Sequence, residues 1–346
     1  MITVIPFENL TYRGQVSRFR LLAKKALEEY SVRPVRLRFL KHAENTTFRV
    51  FTSPKDTPDE GFFVPGNFLL RVHRSNYQTK NSILSELMWL ADINKTTSIK
   101  VPEPLTTKTG QLITEIQIKG IPEARTCSLL RWLPGRFCHQ EPTPKQAYSL
   151  GKTMAGLHNH VSGWQRPCSF ERRHLDYDGL FGENAGFELP SQEIWGLLPR
   201  ECVKLFERVA SRTSKLIERW KQSTFAYGLL HADLHLGNVL FHQGIALPLD
   251  FDDCGYGPWV FDFAVPLADW LSLNTFSLLK RNLLAGYEEN RELPKKQLEH
   301  LPIFIAARRV GLALWFVDRA LVNPRMNELK DVWLPKLFDE IESLVH

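Results

Sequence analysis

The chain has few cysteines, and their spacing fits neither a disulfide framework nor a cysteine metal site. Five cysteines occur among 346 residues, at positions 127, 138, 168, 202 and 254. They are odd in number, widely separated and without a Cys-x-x-Cys pair, whereas disulfide-rich folds and zinc sites bring cysteines together in regular spacings. The sequence therefore predicts free thiols, mostly buried in a core.

Long apolar runs and the pattern of a secretory leader are also missing. The longest weakly charged run, residues 254–279, is interrupted by Asp262 and Asp269 and by two prolines, so it would cross a bilayer at high cost. The first ten residues, MITVIPFENL, lack a basic segment followed by an apolar core of about 7–15 residues. We expect a cytoplasmic protein without a membrane span.

A charge pattern typical of nucleic-acid binding is absent as well. The formal net charge is +6, but lysines and arginines are scattered and do not alternate with aromatic residues in a basic run. With 43% hydrophobic and 24% charged residues, the composition is that of a globular protein, and 346 residues suit two lobes, each with its own core. No repeat or low-complexity segment is evident.

Hydrophobic periodicity predicts two lobes of different secondary structure, with a boundary between residues 133 and 134. In the first lobe, 1–133, an amphipathic helix over 15–30 precedes strands at 32–40, 46–52, 67–73, 111–118 and 125–133, with a helix over 81–93 between the third and fourth. In the second lobe, 134–346, helices are predicted at 143–161, 200–222, 259–272, 275–289, 296–322 and 330–345. The fold class is α+β, a small antiparallel-sheet lobe and a larger, mainly helical lobe.

One hairpin interrupts the helices of the second lobe and carries many polar groups. Strands over 239–241 and 245–249 flank the turn residues Gln243 and Gly244. Counting outward from this turn, Asn238 and Asp250 are opposite each other to within one or two residues, where Cβ atoms are about 4.5–5.5 Å apart. An amide oxygen and a carboxylate suit Mg²⁺, and Asp233, on the loop before the hairpin, is placed to act as a base.

Other interpretations of the same stretch stay open at this point. Asp252 and Asp253 are also typical turn formers. His231, Asp233 and His235 form an HxDxH cluster that could bind zinc, and LHNH at 157–160 would be the nearest source of further ligands. His231 is better explained as a loop histidine that hydrogen-bonds backbone.

The segments LLHADLHLGNVLF and LDFDDCGYGPWVFDFA resemble the HxDxxxxN and (I/L)DF motifs of the aminoglycoside phosphotransferase and choline kinase-like superfamily. That superfamily includes homoserine kinases of type II and bacterial stress-response kinases. The likeness extends to ENTTFRV, FLLRVHR, SILSELMWL and SLLRWLPGR in the first lobe. It implies a protein-kinase-like bilobal fold, with ATP bound by the sheet of the smaller lobe and the acceptor by the larger one.

The resemblance also implies a role for each matched position. Asp233 would accept or orient the substrate hydroxyl, with His231 beside it on the catalytic loop; Asn238 and Asp250 would hold Mg²⁺; and Asp262 would brace the loop through His231. Nucleotide contacts would come from Arg71 paired with Glu86, from Thr46 and Thr47 in the first turn, and from backbone groups of Arg131 and Leu133. Two departures are that Arg71 replaces the usual lysine, and that the turn AENTTF lacks a glycine-rich phosphate cover.

These observations predict a kinase dependent on ATP and Mg²⁺ that phosphorylates a hydroxyl of a small molecule. The alternatives are a bacterial protein Ser/Thr kinase of the stress-response type, a kinase-like nucleotide-binding protein without activity, and a zinc hydrolase. The acceptor pocket is expected between the hairpin and the C-terminal helices, with candidate lining residues Trp270, Arg308, Arg309, Trp315 and Asp318. Neither nucleic acid nor a membrane is an expected partner, and the pattern carries no information on oligomeric state.

Overall fold

The structure, a computed structural model, describes residues 6–42, 45–53, 61–75, 77–139, 141–223 and 225–345. The chain divides into two compact units, Met1–Gly135 with Arg166–Glu171, and Arg136–Gln165 with Arg172–His346. The lobes predicted from the sequence, 1–133 and 134–346, remain a prediction about domains. None of the described helices is both long and apolar enough to span a membrane.

The first unit is built on a mixed-length antiparallel sheet. Its described strands are β1 (Pro34–His42), β2 (Thr46–Thr52), β3 (Asn67–Val72), β4 (Pro104–Leu105), β5 (Thr114–Ile116) and β6 (Arg125–Arg131). They are ordered β1-β2-β3-β6-β4, and β5 also pairs with β6. Its long helices are α1 (Tyr12–Leu27) and α2 (Lys80–Thr96), and a short 3₁₀ turn covers Phe7–Asn9.

Helix α1 covers one face of this sheet. Its apolar stripe buries Phe19, Leu22, Ala23, Ala26 and Leu27, as the helical period predicts. On β2 the buried residues alternate with half-buried ones, so Phe48 and Val50 point into the same core as the stripe. The helix begins earlier than predicted because Thr11 caps it, accepting a hydrogen bond from the Gly14 amide at 3.2 Å.

The predicted strand over 111–118 is too long. Only Thr114–Ile116 pairs with β6. The preceding residues form a turn, in which the Thr107 amide donates to the Gln111 carbonyl at 2.7 Å and the Gln111 amide donates to Thr107 Oγ1 at 3.0 Å. Strand β4 was not predicted, because two residues are too few to show a period of two.

The second unit is mainly helical, as predicted, and the α+β class is confirmed. Its helices are α3 (Pro144–Gly163), α4 (Tyr177–Phe181), α5 (Ser191–Gly196), α6 (Arg200–Trp220), α7 (Val260–Trp270), α8 (Phe276–Glu288), α9 (Lys295–Leu298), α10 (Leu301–Val322) and α11 (Pro324–Val345). Its strands β7 (Arg136–Phe137), β9 (Val239–His242) and β10 (Ile245–Pro248) form one small sheet, and β8 (Tyr227–Leu230) pairs with β11 (Gly255–Pro258). Short 3₁₀ turns cover Glu183–Ala185, Leu236–Asn238 and Phe251–Asp253.

The single helix predicted over 296–322 is two helices in the structure. Helix α10 starts at Leu301 with a proline in its first turn. Proline has no amide hydrogen, so it fits the start of a helix and is costly in its interior. The apolar period is continuous across this break, which is why periodicity alone missed it.

Helices α3 and α8 approach each other through two glycines. A Cβ atom on Gly151 of α3 would lie 1.9 Å from the Leu283 carbonyl oxygen, and a Cβ on Gly286 of α8 would lie 1.9 Å from the Tyr148 carbonyl oxygen. Since both obstacles are backbone atoms, neither can rotate away. The close crossing therefore requires glycine at both positions.

We expect Gly151→Ala to lower the free energy of unfolding by at least about 2 kcal/mol, because the added methyl group forces the two helices apart. Urea denaturation followed by far-UV circular dichroism measures the change. Gly163→Ala, at the end of α3 with no heavy atom within 4 Å of the new Cβ, is the matched control and should be neutral. Equal unfolding midpoints for the two variants would contradict the close crossing.

Candidate active site

The loop between β8 and β9 is held by a buried carboxylate at the start of α7. Asp262 is fully buried, and its Oδ2 and Oδ1 accept hydrogen bonds from the His231 amide at 3.2 Å and the Ala232 amide at 2.7 Å. Ala232 adopts φ 68°, a left-handed conformation that is unfavourable for alanine. Asp262 thus braces the loop through two backbone amides, and the imidazole of His231 is not the connecting group.

His158 on α3 completes this brace. Its Nε2 lies 2.9 Å from Asp262 Oδ2, and its Nδ1 lies 2.9 Å from the Tyr287 hydroxyl. A carboxylate can only accept, so Nε2 carries the proton and Nδ1 accepts from Tyr287. Burial lowers the pKa of His158, although Asp262 opposes this, so the ring stays neutral at physiological pH. Sequence reasoning considered His158 only as a metal ligand; the missed signal is its position four residues after buried Met154 on α3.

The imidazole of His231 is buried and connects the loop to the end of the hairpin. Its Nε2 donates to the Leu249 carbonyl at 2.9 Å, and its Nδ1 accepts from the Asp233 amide at 3.3 Å. Burial lowers the pKa of His231, which keeps the ring in this neutral form. Leu249 precedes Asp250, so this histidine positions backbone on both sides of the hairpin; a catalytic role for it remains a prediction.

The carboxylate of Asp233 is contacted at both oxygens. The Asn238 side-chain amide donates to Asp233 Oδ2 at 2.7 Å and to its backbone carbonyl at 3.1 Å. His235 Nε2 lies 3.4 Å from Oδ2, and Arg308 Nη2 on α10 donates to Oδ1 at 2.5 Å. Burial raises the pKa of Asp233, but Arg308 and His235 outweigh it and hold the pKa at about 2. Asp233 is therefore ionised at neutral pH.

The register of the hairpin agrees with the count made from the sequence. Val239 pairs with Pro248, and the Leu249 amide donates to the Asn238 carbonyl at 2.8 Å, so Asp250 lies one residue beyond the position opposite Asn238. Asp250 is exposed and adopts φ 58°. Aspartate is among the residues that tolerate this left-handed conformation best, because its short side chain can hydrogen-bond locally.

The groups next to this hairpin fit a hard cation better than zinc. The amide nitrogen of Asn238 faces a carboxylate, so its oxygen points to the opposite side, and this oxygen and the carboxylate of Asp250 are ligand types that a hard cation prefers. The HxDxH cluster is not assembled, because the His231 ring faces the Leu249 carbonyl. Among the residues that the structure describes, no group of three or more His, Cys, Asp or Glu side chains could hold a metal ion.

Arginines from the segment before α4 hold the residues that follow Asp250. Arg172 donates from Nε to the Cys254 carbonyl at 2.7 Å and from Nη2 to the Asp252 carbonyl. Arg173 pairs with Asp253 at 3.0 Å. Burial raises the pKa of Asp253, with Arg173 acting in the opposite direction. The backbone around Asp252 and Asp253 is thus fixed by side chains from a distant part of the sequence.

In the first unit the structure brings Arg71 and Glu86 together. Arg71 Nη1 on β3 donates to both carboxylate oxygens of Glu86 on α2, at 2.8 and 2.9 Å. The side chains are 5% and 0% exposed, so Arg71 is not a solvated charge at a strand edge. The contact of this one nitrogen with both oxygens holds the end of the guanidinium against the carboxylate.

Of the remaining predicted nucleotide residues, Thr46, Thr47 and Arg131 lie on strands of the same sheet, and Leu133 follows β6. Thr46 is buried with its hydroxyl 2.7 Å from His42 Nδ1, and Thr47 is half-buried. Residues 43 and 44 of the first turn lie outside the described residues. The Arg131 amide donates to the Glu103 carbonyl at 2.8 Å, so an adenine contact of Arg131 would use its carbonyl oxygen; Leu133 is buried.

Of the five residues expected to line an acceptor pocket, three have structural contacts instead. Asp318 is fully buried and accepts from the Glu188 and Leu189 amides, Arg309 donates to the Ala268 carbonyl and pairs with Glu340, and Trp270 is buried. Arg308 differs from them, since it lies against Asp233.

Comparison with known proteins identifies the family. The sequence model of the phosphotransferase enzyme family matches residues 37–296, from β1 to α9. The chain is 24% identical over 301 residues to amicoumacin kinase of Bacillus subtilis (strain 168), covering 83% of this chain and 81% of that protein. It is 26% identical over 247 residues to homoserine kinase of Phenylobacterium zucineum (strain HLK1), covering 69% of each.

A solved structure agrees with these relatives. The microcompartment-associated aminopropanol kinase superposes with a TM-score of 0.72 and 25% identity, covering 94% of this chain and 95% of the other. The predicted kinase-like fold and the predicted enzyme class are confirmed, and the chain belongs to the phosphotransferase enzyme family.

Proposed function

We propose that the protein is a kinase that uses ATP and Mg²⁺ to phosphorylate a hydroxyl group of a small molecule. The observation that carries this proposal is the contact of Asn238 with Asp233 just before the hairpin and the position of Asp250 just after it. In this arrangement the carboxylate of Asp233 would serve the acceptor hydroxyl, and the side-chain oxygens of Asn238 and Asp250 would serve a cation. A cytoplasmic location is part of the proposal, because ATP is the phosphate donor.

In the proposed reaction, the acceptor oxygen forms a bond to the γ-phosphorus of ATP while the bond from that phosphorus to the bridging oxygen of ADP breaks. The hydroxyl proton passes to the carboxylate of Asp233 and from there to solvent. With its pKa held at about 2, Asp233 is a weak base and acts mainly by orienting the hydroxyl. This suits phosphoryl transfer, in which positioning and charge neutralisation supply most of the rate enhancement.

The other proposed roles are those that the family resemblance implies, and the contacts within each unit are compatible with them. Bound Mg²⁺ would neutralise charge on the triphosphate, and Asn238 and Asp250 would hold it. Arg71, directed by Glu86, would contact phosphate, with Thr46 and Thr47 beside it on the sheet. The Arg131 carbonyl and the Leu133 amide would meet adenine.

A small acceptor is supported by two further points. The relatives and the superposed structure are named for small molecules: amicoumacin, homoserine and aminopropanol. The segment from Asp250 to Asp262 contains a 3₁₀ turn, β11 and the start of α7. That leaves no long loop of the kind that docks a peptide substrate.

A screen of acceptors tests the proposed function. Purified protein, ATP and Mg²⁺ are incubated with amino alcohols, hydroxyl-bearing amino acids, aminoglycosides, choline-like alcohols and a protein mixture, and product is detected by mass spectrometry. We expect phosphate transfer to at least one small molecule and loss of transfer with EDTA. Transfer to protein alone, or ATP binding without turnover on any acceptor, would refute the proposal.

Asp233→Asn removes the group that orients the hydroxyl but leaves the metal ligands in place. We expect kcat to fall roughly 10²–10⁴-fold, with nearly unchanged affinity for Mg-ATP in isothermal titration calorimetry. Asp331→Asn on the exposed face of α11 is the matched control and should retain wild-type kcat.

Asp250→Asn should act differently, because it removes a negatively charged ligand of the cation. We expect the affinity for Mg-ATP to fall at least about tenfold, since a buried or metal-bound charge interaction contributes more than 1.4 kcal/mol. Titrating Mg²⁺ at fixed ATP separates the metal effect from nucleotide binding. The assignment of roles is wrong if the two variants bind Mg-ATP equally well.

A further inference from the structure

Arg308 contacts the carboxylate of Asp233, and none of the roles proposed above accounts for this contact. Its Nη2 donates to Asp233 Oδ1 at 2.5 Å, across 75 residues of sequence. The side chains are 26% and 16% exposed, so the pair is partly shielded from water but still reachable from it. Charge-assisted hydrogen bonds between a guanidinium and a carboxylate are among the strong ones in proteins.

The contact completes the fixation of the Asp233 carboxylate. Oδ2 is held by the Asn238 amide at 2.7 Å and faces His235 Nε2 at 3.4 Å, while Oδ1 is held by Arg308. Rotation of the carboxylate would break contacts at both oxygens. The carboxylate of Asp233 is thus held in one orientation, with one of its two oxygens bound by a residue of helix α10.

The guanidinium of Arg308 has capacity beyond this contact. Within the part of the chain that the structure describes, it makes one side-chain hydrogen bond, through Nη2. A guanidinium carries five N–H donors in a rigid fork, so donors on Nε and Nη1 remain for another group. Asp233, Asp269 and Asp253 all act electrostatically on Arg308, and this acidic surrounding keeps it charged.

The neighbouring Arg309 shows what a purely structural arginine looks like on the same helix. It is 8% exposed, donates to the Ala268 carbonyl and pairs with Glu340 of α11 at 2.9 Å. The guanidinium of Arg309 therefore joins neighbouring helices, whereas the guanidinium of Arg308 contacts the carboxylate of Asp233.

We propose that Arg308 is a functional cation of the phosphoryl-transfer site, which holds Asp233 in place and supplies positive charge where the acceptor hydroxyl meets the transferred phosphoryl group. The inference rests on the proposed function. A hydroxyl that donates to Asp233 while its oxygen bonds to phosphorus places the phosphoryl oxygens within a few ångströms of Asp233, and therefore near Arg308.

Charge spreads over these oxygens in the loose transition state, and an arginine placed beside them stabilises it. The bonds formed and broken are those of the proposed reaction. Arg308 neither gains nor loses a proton, because its role is electrostatic.

Three variants test the proposal by steady-state kinetics with the best acceptor of the screen. Arg308→Gln should lower kcat by roughly 10²-fold or more, with the Kd for Mg-ATP changed by less than about threefold. Arg308→Lys keeps a positive charge against Asp233 but loses the fork, so kcat should fall about tenfold. Arg309→Gln is the control: it should unfold at lower temperature but retain kcat well below its midpoint.

A readout independent of activity tests the contact itself. Thermal unfolding without nucleotide is compared for wild type, Asp233→Asn, Arg308→Gln and the double variant. We expect the double variant to lose less stability than the sum of the single losses, because either single change leaves a partly buried group without its partner. Additive losses would overturn the proposal that Arg308 holds Asp233.

The outcomes separate this inference from the proposed function. If the wild-type protein transfers phosphate and either Arg308→Gln or Arg308→Lys matches its kcat, the inference fails and the proposed function stands. If the wild-type protein shows no transfer and no affinity for ATP, both fail. Arg308→Lys retains the charge that the local packing requires, so it serves as the test if Arg308→Gln does not fold.

Discussion

The whole catalytic segment depends on one buried carboxylate, that of Asp262. It accepts from two consecutive backbone amides of the loop after β8 and from His158, and so it binds α7, α3 and the loop into one unit. A carboxylate without these donors would be costly to bury. Without the same contacts, nothing would compensate the strain of the left-handed backbone at Ala232. Everything further along the loop, including Asp233, takes its position from this point.

Hydrogen bonds from a histidine and an amide side chain connect this loop to the hairpin. His231 links the loop to the Leu249 carbonyl, and Asn238 returns from the hairpin to Asp233, so that the proposed hydroxyl-orienting and metal-holding groups share one rigid ribbon. Both buried rings, His158 and His231, are kept neutral by burial, which suits groups whose task is to direct hydrogen bonds. Preorganisation of this kind is the main way in which a protein accelerates phosphoryl transfer.

In each unit, charged side chains form pairs that restrict rotation of the charged groups. Arg71 is held by both oxygens of Glu86, and Asp233 is held from both sides by Asn238 and Arg308. Arg71, at the position of the family's usual lysine, keeps a positive charge against this buried carboxylate. Such pairs limit orientation more than they add stability.

The sequence by itself determined what is local. The stripe of α1, the turn at Gln243 and Gly244, and the position of Asn238 opposite Asp250 to within one or two residues follow from periodicity and turn residues a few positions apart. Tertiary structure alone decided the partners of the carboxylates: Arg308 is 75 residues from Asp233, and His158 is 104 residues from Asp262. No local preference encodes such contacts, because they arise only when packed helices bring remote side chains into the same buried space.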